Sequence, residues 1–112
     1  MDKQLNYREI LLDVLRKKEW DYGTEGAMLR ARLIADKEND RYIMVVSGWR
    51  DRLHIHGVHF QLDIINGKIW FQVNNTEEEI VDELMAAGVP ASDIVLGFIP
   101  EKARIATGFA TA

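Results

Sequence analysis

The chain has 112 residues, a formal net charge of −4, 47% hydrophobic and 29% charged residues, and no cysteine. That is the length of one domain over 1–112, with core enough to fold without disulfides, and a composition that excludes disordered, collagenous and low-complexity classes. No apolar run approaches the roughly 18 residues of a membrane span, no apolar segment follows the polar start as in a signal peptide, and thiol nucleophiles and Cys-ligated zinc are excluded, so a soluble cytoplasmic protein is expected.

Lys3 to Trp20 reads as an amphipathic helix, because Tyr7, Ile10, Leu11, Val14 and Leu15 recur at spacings of three and four. Asp21–Gly26 breaks that period and reads as a loop. Ala27–Ala35 then alternates Arg30 and Arg32 with Leu29, Ala31 and Leu33, the period of a strand. Asp36–Asp40 suits a turn, and Tyr42–Trp49 is rich in β-branched and aromatic residues. Leu53–Ile65 is a long third strand whose apolar phase slips from Leu53 and Ile55 to Val58, Phe60, Leu62 and Ile64, which predicts a bulge near Gly57. Asn66-Gly67 between alternating apolar residues predicts a type I′ hairpin turn, returning as Lys68–Asn74 with Ile69, Phe71 and Val73 on one face.

A second helix is expected to start at Thr76 as N-cap, with Glu79 closing a capping box and Glu77 and Glu78 in the first turn. Gly88 suits the left-handed position after its end, and Pro90 stops it. Pro90–Asp93 fits a single helical turn. Ile94–Ile99 is readable as a buried strand or a short helix, and Ala103–Ala112 as an edge strand or coil. The sum is an α+β domain: an antiparallel sheet of about four to five strands, an N-terminal helix, and a second helix after the fourth strand, with the helices over one face. The other face would carry Arg30, Arg32, Gln61, Asp63 and Gln72 or meet a second subunit.

Charge is unevenly distributed. Ile69 to Glu101 holds seven acids and no Lys or Arg, whereas Arg30 to Arg52 leans basic. The balance argues against the electrostatic grip of nucleic-acid binders and suits docking to a basic partner or to a second copy of the chain. Nucleophilic catalysis has little material: Ser47 and Ser92 lie outside any nucleophile elbow, and no glycine-rich phosphate loop occurs. His54, His56 and His59 fall within six residues. On a regular strand the first two share a face and the third opposes them, so they are weak candidates for a metal and more simply strand positions. The aromatic residues Trp49, Trp70, Tyr42 and Phe71 are expected in the core or at a subunit interface rather than stacking bases.

Several blocks in fixed order resemble the XisI family, the fdxN element excision controlling factors of cyanobacteria. They are Gly48-Trp49; Asp63-Ile64-Ile65-Asn66-Gly67-Lys68-Ile69-Trp70-Phe71-Gln72; Thr76-Glu77; Glu83-Leu84; Gly88-Val89-Pro90; Asp93-Ile94-Val95-Leu96-Gly97-Phe98; and Arg104 with Thr107 and Phe109-Ala110. The chain departs from the family at Gln61 and Ile99, where histidines are common, and Pro100 falls one place early. The resemblance implies an accessory role in programmed DNA rearrangement during heterocyst differentiation, alongside XisH and the recombinase XisF. The expectation is therefore a non-enzymatic factor without cofactor, acting by protein binding as a homodimer and with an XisH-like partner. The alternative is a nucleic-acid-binding module using Arg30, Arg32, Arg50 and Arg52.

Overall fold

The computed structural model describes residues 3–112, with side chains from Asn6 onward. Helix α1 runs from Lys3 to Arg16. It is shorter than its sequence pattern, because Lys17 and Lys18 form a turn and Trp20 already belongs to a strand. Strand β1 (Trp20–Thr24) takes the place of the expected loop. It pairs antiparallel with β2 (Ala27–Asp36), Trp20 facing Ala31 and Thr24 facing Ala27. All five residues of β1 are exposed, so the strand is held by backbone pairing with β2 rather than by burial, although Trp20 and Tyr22 share one face.

Strands β3 (Arg41–Arg50), β4 (Leu53–Ile65) and β5 (Lys68–Asn74) follow the expected hairpins. Asn66 and Gly67 both have positive φ, 51° and 77°, as the type I′ turn demands. The register of β3 against β4 slips where Met44 faces Phe60 and Val45 faces Val58, leaving His59 as the extra residue two places beyond Gly57. A second slip sets Leu62 opposite Phe71 but Gln61 opposite Val73. Val73 therefore leaves the face of Ile69 and Phe71, contrary to the simple alternation.

Helix α2 spans Ile80–Ala86, starting three residues later than the capping-box reading. The N-cap is Glu79, with no side-chain cap bond; the Thr76 hydroxyl instead accepts from the Glu78 N–H at 3.1 Å, a local turn. Glu77 and Glu78 thus precede the helix, and Asp82 and Glu83 occupy its first turn. Its C-terminus follows the expectation: Gly88 has φ 110°, its N–H donates to Met85, and the Val89 N–H donates to Leu84, closing a Schellman motif. A 3-10 turn (Ala91–Asp93) leads into β6 (Ile94–Leu96), which runs parallel to β5. The sheet therefore has six strands in order β1-β2-β3-β4-β5-β6, and is mixed rather than purely antiparallel. The tail forms helix α3 (Glu101–Arg104) and a 3-10 turn (Ile105–Thr107), and touches the sheet by one bridge, Ala110 to Val95.

Both helices lie on one face. Tyr7, Leu11 and Leu15 of α1 and Ile80 and Leu84 of α2 meet Ala31, Tyr42, Met44, Phe60, Leu62 and Ile69 in the core. Burial of a large apolar side chain stabilises by about 1.5–3 kcal/mol, so this layer carries the fold. The helices cover only the half of the sheet near the β5–β6 end. The other half, made of β1, the start of β2, the end of β3 and the start of β4, extends as an uncovered arm. The molecule measures 46 × 32 × 24 Å.

Candidate functional site

The residues singled out by sequence fall into three places. The first is the base of α1. Arg8 donates to both carboxylate oxygens of Asp40, at 2.9 and 3.2 Å, and the Tyr42 hydroxyl donates to the same carboxylate at 3.0 Å. Asp40 has φ 52°, and its own carbonyl accepts from the Ile64 N–H. The carboxylate beside it raises the Arg8 pKa, and burial followed by the bond to Asp40 pushes the Tyr42 phenol up to about 12. The adjacent residue of α1, Tyr7, donates to the buried Asp93, and burial together with that carboxylate takes Tyr7 to about 12. These contacts lock α1 to the β2–β3 corner and to the approach to β6. Asp93, a family-motif position, is thereby a structural acceptor. Sequence reasoning did not find the Arg8–Asp40–Tyr42 group; its one local mark in the sequence is Asp40 closing the polar Asp36–Asp40 turn, two residues before Tyr42.

The second place is the β4–β5–β6 end of the sheet, where most motif positions converge. Asp63 is buried and accepts from Gln61 Nε2 at 3.2 Å and from Gln72 Nε2 at 3.5 Å. Gly97 leaves room for Gln72: a Cβ there would sit 2.4 Å from Gln72 Oε1. Phe98 packs edge-on against Phe71 with ring centroids 5.4 Å apart. The Arg104 guanidinium lies 5.2 Å over the Trp70 ring and donates to the carbonyls of Ile99 and Thr111. Lys68 reaches the Ala112 carbonyl at 2.5 Å. Trp70 and Arg104 thus hold the C-terminal tail to the sheet, Asp63, Gln72 and Gly97 lie side by side, and Phe98 rests on Phe71, while Gly67, Gly88 and Pro90 shape turns.

The third place is the arm. Gly48 has φ 144°, and a Cβ on it would lie 1.9 Å from the Met28 carbonyl, so the Gly48-Trp49 motif exists because β2 and β3 approach too closely for any side chain. Trp49 pairs with His54, ring centroids 4.7 Å apart, and His54 stacks on His56 at 6.5 Å. His59 sits in the bulge and rests edge-on against Phe60. Among the described residues, no group of three or more His, Cys, Asp or Glu is arranged to hold a metal ion. The four arginines do not make a single stripe. Arg32 and Arg30 both approach Asp21, at 2.7 and 4.0 Å. Arg50 lies on the helix-side face, two residues from Arg52 in the β3–β4 turn.

Comparison with known proteins bears on the same residues. The family described as XisI protein matches residues 1–111. No curated protein matches the chain. The crystal structure of the fdxN element excision controlling factor XisI from Anabaena variabilis ATCC 29413 superposes with a TM-score of 0.82 at 34% identity, covering 99% of this chain and 100% of that one. The crystal structure of a XisI-like protein from the same organism gives 0.82 at 31% identity, over 97% and 99% of the two chains. Blocks that proved to be turn glycines, tail anchors and α1 locks are thus arranged along a chain that matches nearly from end to end, and this protein belongs to the XisI family.

Proposed function

We propose that this protein is a controlling factor for the site-specific excision of a DNA element, and that it acts without catalysis of its own, by binding protein. The observation that carries the reading is the match over 99% of the chain to a structure named as an fdxN element excision controlling factor. The chemistry of the motif positions supports the non-enzymatic part. Asp63 and Gln72 tie β4 to β5, Asp93 holds a helix, Thr76 a turn and Arg104 the tail, and these contacts are spread over the molecule rather than gathered around one cleft. The partner most consistent with the resemblance is an XisH-like protein. The pairing of Arg30 and Arg32 with Asp21 lowers the positive potential that a direct grip on DNA needs.

Co-expression with the XisH-like protein encoded nearest the gene tests the reading. Stoichiometric co-purification that survives moderate salt is expected. A well-folded, monodisperse chain that leaves the XisH-like protein behind at every salt concentration overturns the partner assignment.

A further inference from the structure

Strand alternation continues to place apolar side chains on the helix-side face beyond the point where the helices end. Trp20 and Tyr22 of β1, Leu29 of β2, Val46 of β3 and Ile55 of β4 line a continuous groove there. Tyr22 is 50% exposed, and Leu53, the register partner of Arg50 on the same face, is 63% exposed. Nothing in the described chain covers this surface: α1 and α2 lie over the core, and the tail is anchored at β5–β6. The groove is also polar end to end. Arg50 stands at one end, with Asp51 and Arg52 in the turn beyond it, and past Trp20 the other end is formed by the loop bearing Glu77 and Glu78. Among the described residues Arg50 and Glu77 form no ion pair, whereas Glu78 is bound to Lys18.

We propose that a second copy of this chain docks on this face about a twofold axis. A twofold contact presents the same patch from both copies, so a patch with one basic and one acidic end around an apolar centre is complementary to itself when turned through half a revolution. The Arg50 end of each copy then meets the Glu77 end of the other, twice over, while Trp20, Tyr22, Leu53 and Ile55 lose exposed surface in the middle. A nucleic acid would meet the acidic end unfavourably. The opposite face of the arm, with Met28, Trp49 and His54, stays outside this contact. Self-association is read on the purified chain alone, so its outcome is separate from whether an XisH-like protein binds.

Sedimentation equilibrium of the full-length chain tests the proposal. The unmodified protein is expected to be a dimer. Arg50→Glu and Glu77→Lys should each weaken self-association about tenfold or more, and combining them in one chain should restore it. Leu53→Glu should weaken it, and Met28→Glu on the far face should not. A chain that stays monomeric up to ~100 μM overturns the proposal. So does a dimer indifferent to Arg50→Glu and Leu53→Glu, or one broken by Met28→Glu instead. Loss of XisH-like binding in Arg50→Glu with a monomeric starting protein would hand the face to that partner and equally overturn self-docking.

Discussion

The two halves of the sheet are built from the same strands and obey the same alternation, yet they differ in what lies on top. Near β5 and β6, Tyr42, Met44, Phe60, Leu62 and Ile69 are fully buried beneath two helices. Further along the same face, Tyr22 and Leu53 are at least half exposed. Strand periodicity sets which face a side chain meets, but whether that face is dry depends on how far the helices reach. The covered half holds the fold together, and the arm offers surface.

The contrast is sharpest under truncation. Phe60→Ala, in the covered half, should cost about 3–5 kcal/mol in urea unfolding, because it leaves a cavity that rigid neighbours cannot close. A smaller loss from this substitution would mean that the helices pack loosely on the sheet. Within the arm, backbone and side chains should part company. Gly48→Ala should cost more than about 1 kcal/mol, since the new Cβ meets the Met28 carbonyl at a φ that other residues avoid. Alkaline pH probes the locks of α1. Folding holds the protons of Tyr7 and Tyr42 more tightly than the unfolded chain does, so stability should be full below pH 10 and fall as the pH rises from 10 through about 12. A chain carrying Tyr7→Phe and Tyr42→Phe should show a shallower decline across that window in thermal melts. The smallest effect is expected from Trp49→Ala, within about 0.5 kcal/mol for the isolated chain, because its ring is 53% exposed. A large loss there would show that the arm is more than surface.

The Lys18 ammonium illustrates how the acidic segment was read too locally. Burial opposes its charge, yet hydrogen bonds to Glu83 and Glu78 outweigh that cost and raise its pKa. The acids around α2 thus serve to join the two helices, at 2.5 Å for Glu83 and 3.2 Å for Glu78, and not to cap the second one. A capping box and a loop carrying the same threonine and glutamates are indistinguishable by spacing; the position of α2 against α1 selected the later start.

The residues alone determined whatever depends on near neighbours. The Asn66-Gly67 turn needs positive φ from residues that tolerate it, Gly88 ends α2 for the same reason, and the alternation from Leu29 to Phe71 sets the buried face and hence the α+β class. The blocks that mark the family are legible for that reason too, since several of them are turns and close approaches. Only tertiary structure decided the rest. β1 and β6 are strands because a neighbouring edge supplies their hydrogen-bond partners, one bare of burial and the other parallel. The bulges fall at His59 and Gln72 because two long strands must keep Phe60, Leu62 and Phe71 inside while they twist. Asp40 and Asp93 owe their places to Arg8 and Tyr7, 32 and 86 residues away, distances over which no local pattern carries information.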